Sequence, residues 1–153
     1  MTFVVDGMLG NVARWLRLMG FDTLYFNTHM KTELLRAARG EGRVLLTCDR
    51  RLFRENTDIS IFVGSTGTAA QLAEIKRKLL LKPDPGKFFT LCSLCNLPLE
   101  TRKKAEVVGL VPEYVHLHKN RFRQCSCCKK VYWDGDHCTA IRKVLGMLMN
   151  GRD

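Results

Sequence analysis

The chain has 153 residues, 46% of them hydrophobic, with 25 Lys and Arg against 15 Asp and Glu for a formal net charge of +10. That length can bury one fair-sized core plus a small appendage, and the apolar fraction excludes general disorder. No run approaches the roughly 20 apolar residues that span a bilayer, and the positive charge favours polyanionic partners, since Lys and Arg release counterions when they neutralise phosphates.

The first residues, Met-Thr-Phe-Val-Val-Asp, read as a strand and not as a targeting segment, so the expected location is intracellular and cytoplasmic. Phe3-Val4-Val5 is a short apolar run ending at Asp6-Gly7. Val12, Trp15, Leu16 and Met19 fall at i, i+3, i+4 and i+7, which predicts a helix over 11–19 stopped by Gly20. Thr23 to Phe26 is a second strand, and Thr32 to Arg39 a second helix with Leu34, Leu35 and Ala38 as its apolar stripe. Val44 to Thr47 is a third strand leading to Asp49, and Ile59 to Val63 a fourth. Thr68 with Gln71 forms a capping-box pattern that opens a helix through about Leu81. Short buried strands alternating with helices predict an α/β fold, a parallel sheet flanked by helices. Lys82-Pro83-Asp84-Pro85-Gly86 cannot continue a helix, which predicts one domain over 1–83 and a second over 84–153 with a terminal helix.

Open α/β sheets bind ligands beyond the carboxyl ends of their strands. Asp6 follows the first strand and Asp49 the third, so both belong at that edge, and Glu33 joins them from the first turn of the second helix if the crossover is right-handed. Converging carboxylates repel one another unless a hard cation neutralises them, which suits Mg²⁺ or Mn²⁺. Each acid also has a plainer reading. Glu33 can complement a helix dipole, and Asp49 can cap the turn Arg50-Arg51-Leu52-Phe53.

Four of the seven cysteines form two C-x2-C pairs, Cys92/Cys95 and Cys125/Cys128. This spacing lets each pair converge on one ion from a tight turn, and two pairs supply the S4 shell of a structural zinc. Disulfides are the alternative, disfavoured by the odd count and the paired spacing. Residues 96 to 124 separate the pairs, more than a compact ribbon needs, and a short helix is expected near Lys103 to Val108. Cys127, His116, His118, His137 and Cys138 are reserve ligands, with His116 and His118 on one face if they lie on a strand. Lys129 stands where ribbons often have glycine.

Val5-Asp6-Gly7-Met8-Leu9-Gly10, Ala13-Arg14-Trp15-Leu16-Arg17, Gly20-Phe21-Asp22-Thr23 and Leu45-Leu46-Thr47-Cys48-Asp49-Arg50-Arg51 resemble the Mut7-C family, and so do the two cysteine pairs and Lys130-Val131-Tyr132-Trp133. The resemblance implies a PIN-like ribonuclease domain followed by a small zinc ribbon. By position it makes Asp6 and Asp49 catalytic metal ligands for Mg²⁺ or Mn²⁺, with Glu33 as a third, although Thr28-His29-Met30-Lys31 lacks the acidic cluster expected before it. Asp22 and Asp58 are candidates for a fourth acid without a motif.

RNA is the partner that charge and resemblance agree on. Arg14, Arg50 and Arg51 lie near the carboxylates in sequence and are expected to bind substrate phosphate. Arg17 is expected on a solvated helix face, and Tyr132-Trp133 either stacks a base or fills the ribbon core. The rival reading is a non-catalytic nucleic-acid-binding adaptor that binds through the ribbon. A phosphoryl-accepting aspartate is disfavoured, because no lysine clearly occupies the strand-end position it needs.

Overall fold

The computed structural model describes residues 1–27, 30–134, 143 and 146, and the chain forms two compact units, 1–96 and 97–153. The first unit holds strands β1 (Phe3–Val5), β2 (Thr23–Tyr25), β3 (Val44–Thr47) and β4 (Ser60–Phe62), all parallel in the order β2-β1-β3-β4. Its helices are α1 (Gly10–Leu18), α2 (Lys31–Gly40), α3 (Arg50–Glu55) and α4 (Thr68–Leu79). β1 is central, and Phe3, Val4 and Val5 are all 0% exposed. Continuous burial of this kind, not alternation, is what a sheet covered on both faces requires. Alternate side chains serve opposite faces. Val4 and Leu45 pack with Leu34, Ala37 and Ala38 of α2 and Leu52 of α3, while α1 and α4 pack against each other. Burying each such Val or Leu contributes about 1.5–3 kcal/mol, so a charge at Val4 would break the sheet.

Two local expectations change. α4 begins at Thr68, but Gly67 is the residue before it and no side chain caps it. Thr68 is already inside the helix, and the Gln71 N–H donates to the Gly67 carbonyl at 3.0 Å, so the Thr68/Gln71 box is not used. The first compact unit also runs to residue 96 instead of 83, because the following segment packs back on it. The Phe89 N–H donates to the Leu18 carbonyl at 2.9 Å. Gly20 has φ +83°, and a Cβ there would lie 2.5 Å from the Lys87 carbonyl oxygen, so glycine permits both the turn after α1 and this close approach.

The second unit holds an antiparallel sheet of β5 (Leu99–Arg102), β6 (Phe122–Cys125) and β7 (Val131–Trp133), in that order, plus helix α5 (Glu113–His118). Val107, Val111, Phe122 and Val131 form its core, with Val115 and Trp133 packed against it. Trp133 is thus half-buried against that core, while Tyr132 has the Lys130 ammonium over its ring at 5.3 Å. The helix expected near 103–108 is a 3-10 stretch over Lys104–Val107. His116 and His118 lie on α5, not on a strand, so they point in different directions. The expected terminal helix lies outside the described residues, apart from Lys143 and Gly146, which are helical, and so do His137 and Cys138. Among the described residues, no helix is long and apolar enough to cross a membrane.

Candidate active site and metal centre

In the order β2-β1-β3-β4, the chain leaves β1 in one direction and β3 in the other, so the topological switch point falls between them. Asp6 and Asp49 follow these two strands at their carboxyl ends. Asp6, 7% exposed, accepts the Met8 N–H at 3.1 Å and so caps the 3-10 turn Gly7–Leu9. Its other oxygen accepts a hydrogen bond from the Thr47 hydroxyl. The Thr47 hydroxyl oxygen in turn accepts the Asp49 N–H at 2.9 Å, so one side chain ties both loops together.

Asp49 does cap α3: its Oδ1 accepts the N–H groups of Arg51 (2.8 Å) and Leu52 (3.1 Å). Its Oδ2 faces the Lys31 ammonium at 3.0 Å. The Leu52 N–H and the Lys31 ammonium hold its carboxyl below the ordinary aspartate value. Both aspartates line a cavity of about 60 Å³ with Met8, Asn27, Lys31 and Leu34.

The sulfur atoms of Cys92, Cys95, Cys125 and Cys128 all lie within 4.8 Å of one another. A tetrahedral zinc with Zn–S near 2.3 Å needs sulfurs roughly 3.8 Å apart, so the donor set fits that ion. All six described cysteines are thiols and not disulfides. The two turns share one geometry. Asn96 and Lys129, each just after a pair, both have φ 62°. Their N–H groups donate to the carbonyls of Cys92 (2.9 Å) and Cys125 (3.1 Å). Lys129 thus adopts the left-handed conformation that glycine would take without strain.

The Mut7-C RNAse domain profile matches residues 1–145, a stretch that includes both aspartates and all four cysteines. The chain belongs to the Mut7-C family. No curated protein and no solved structure matches it. A ribonuclease-like role follows from the family at that level of detail.

Several expectations for this Mut7-C chain need correcting. Glu33 is exposed and does not line the aspartate cavity. α2 presents Lys31 and Leu34, three residues apart on one face, and Glu33, two residues beyond Lys31, points about 200° away from it. Asp22 and Asp58 precede β2 and β4, so they sit at the amino edge of the sheet, where they pair with Arg43 and Arg39. Arg50 stacks over the Phe62 ring at 5.2 Å, Arg51 pairs with Glu55, and neither lines the cavity. Arg17 is 6% exposed instead of solvated. It donates to the carbonyls of Thr23 (2.8 Å), Ser93 (3.1 Å) and Leu94 (2.8 Å), the last two lying between Cys92 and Cys95. Burial lowers its pKa, and the nearby Cys92 and Cys95 push it back up.

His116 and His118 engage the carbonyls of Lys104 and Tyr114 and stand outside the sulfur group, as does Cys127. The Cys48 thiol, between Thr47 and Asp49, is pushed up in pKa by burial, Asp6 and Glu74, which disfavours a nucleophilic thiolate.

Three contributors escaped the sequence reading. Lys31 carries no motif and acts through Asp49, distant in the chain. Thr47 lies in the Leu45–Arg51 stretch that resembles the family, but its bond to Asp6 joins two strands far apart in sequence. Glu74 of α4 accepts the N–H groups of Gly64 and Ser65, and so shapes the loop after β4. Burial raises its pKa, but the Lys78 ammonium and these amides outweigh that and bring it to about 2.

Proposed function

We propose that this Mut7-C protein is a ribonuclease that hydrolyses phosphodiester bonds with Mg²⁺ or Mn²⁺ held by Asp6 and Asp49, in a PIN-like α/β domain. The observation that carries the reading is the meeting of two aspartates at the switch point of a parallel sheet, in one small cavity. The donors suit a hard cation. Each Asp6 oxygen keeps a lone pair beyond its one hydrogen bond, and Asp49 Oδ2 faces a cation already, the Lys31 ammonium. A bound divalent ion supplies an activated water and stabilises phosphate oxygens. The chain's own work is to hold the two carboxylates. Thr47 and the Met8 amide orient Asp6, and the α3 amides orient Asp49. Lys31 lines the cavity beside Asp49, where its ammonium would face a substrate phosphate. The cysteine group holds a structural zinc whose closed S4 shell leaves no position for substrate.

The second reading is a nucleic-acid-binding adaptor without catalysis, favoured by the Lys31–Asp49 pair and by the lack of a third acid in the cavity among the described residues. Purified wild type and Asp6→Asn, incubated with a mixed RNA pool with Mn²⁺ or with no added divalent ion, decide between them. The enzyme reading expects Mn²⁺-dependent cleavage that falls by about two to three orders of magnitude in Asp6→Asn, with Glu33→Gln near wild type. Equal cleavage by wild type and Asp6→Asn would place the activity elsewhere, and a wild type inert on every substrate would favour the adaptor.

A further inference from the structure

A second cavity, of about 410 Å³, opens beside the Asp6 turn. Gly7, Met8, Asn11, Arg14, Tyr25 and Leu94 are among its lining residues, which also include Arg17 and, among the described residues, contain no carboxylate. Met8, 71% exposed, lines both this cavity and the aspartate cavity and forms the ridge between them. We propose that this cavity is a nucleotide subsite for single-stranded RNA, holding the base and phosphate next to the scissile bond; it rests on the ribonuclease reading.

The lining chemistry fits that ligand. Arg14 is exposed on α1 and makes no ion pair or hydrogen bond with another described residue, so its guanidinium fork is available for a phosphate. Arg17, one turn further along the helix, adds a second fixed positive charge to the wall. Tyr25 supplies a rigid aromatic surface. It is 42% exposed, its hydroxyl donates to the Gly7 carbonyl at 3.0 Å, and Gly10 lies close against its ring. Aromatic rings of this kind stack bases without regard to sequence. Asn11, one turn before Arg14, offers an amide donor and acceptor to a base edge or a 2′-hydroxyl. The volume lies within the range of small-ligand sites. The ridge at Met8 joins the cavity to the turn that Asp6 caps, so a strand crossing it runs from one site into the other.

The test measures binding of a fluorescein-labelled single-stranded oligoribonucleotide, by anisotropy, to zinc-loaded protein without Mg²⁺ or Mn²⁺. Arg14→Glu should weaken binding about tenfold and reduce the slope of log K against log salt by about 0.7, one phosphate contact. Wild type should prefer the oligonucleotide to an abasic strand of equal length, and Tyr25→Ala should lose that preference. A mononucleotide should bind far more weakly than the strand. Arg36→Glu, with the same charge change on α2, should cost much less than Arg14→Glu.

The subsite is wrong if Arg14→Glu leaves affinity and salt slope unchanged, if Arg36→Glu weakens binding equally, or if Tyr25→Ala keeps the base preference. A mononucleotide binding as tightly as the strand would also overturn it, in favour of a free-nucleotide pocket. Mn²⁺-dependent hydrolysis of bis(p-nitrophenyl) phosphate, compared between wild type and Asp6→Asn, reads the ribonuclease reading separately. No hydrolysis of this ester or of RNA by wild type would remove that reading and the subsite's place beside a scissile bond.

Discussion

Cys92 and Cys95 stand in one tight turn and Cys125 and Cys128 in another, and each turn is closed by its own amide-to-carbonyl bond. Asp6 and Asp49 reach their cavity from the ends of two different strands, and a third residue, Thr47, links them. The sulfur group is complete with four soft donors, whereas the carboxylate site has two hard donors and a lysine beside them. A closed shell of soft donors builds structure, and an open pair of hard donors leaves room for an exchangeable ion and a substrate.

The sharpest break of this contrast is removal of zinc. Among the described residues, the 97–153 unit has a core of only a few side chains, so its sheet should unfold in Cys125→Ser or under a strong chelator, while the parallel sheet persists. Apparent zinc binding energies of about 10–16 kcal/mol make this the largest effect. Two separate unfolding transitions by calorimetry, with zinc stoichiometry falling from one to zero, are the expected readout, and an unchanged β5-β6-β7 sheet without zinc would refute it.

Arg17 tests how far the first cysteine turn depends on the α/β unit around it. Arg17→Met leaves three carbonyls without their donor and should cost about 3 kcal/mol of stability. A melting temperature within a degree of wild type would contradict this.

Glu74 sharpens the same contrast by pH. Its pKa falls from 4.5 unfolded to about 2 folded, so its contribution is complete above the unfolded value and is lost as pH falls towards 2. Glu74→Gln should therefore be less stable than wild type by about 2 kcal/mol at pH 6, and the gap should close by about pH 2. A gap independent of pH would show that the charge is not involved.

The smallest effect concerns the second cysteine turn. Lys129 sits at φ 62°, so Lys129→Gly should raise stability by about 0.5–1 kcal/mol through relief of left-handed strain, seen as a modest rise in melting temperature. A loss of stability would mean that the bond from the Lys129 ammonium to the Ser126 carbonyl matters more.

Much of the α/β unit was legible because its signals are local. The third strand, Val44–Thr47, was read to the residue, and α1 and α2 to within a residue at each end, from apolar periodicity and a stopping glycine. The 97–153 unit was less legible, because its elements are short. α5 has six residues, and nothing in Glu-Tyr-Val-His-Leu-His separates a helical turn from a strand until Val115 packs on the core.

The sequence by itself determined the cysteine pairs and the two strand-end aspartates, since C-x2-C and an acid after a buried strand act over a few residues. Tertiary structure decided what surrounds them. The strand order put the switch point between β1 and β3, and so brought Asp6 and Asp49 into one cavity. The rotation of α2 delivered Lys31 instead of Glu33, and the fold buried Arg17 against the first cysteine turn. The physical reason is common to all of these. A neighbour in space is chosen by which faces bury together, and that choice depends on every element of the sheet at once, not on the spacing within any one of them.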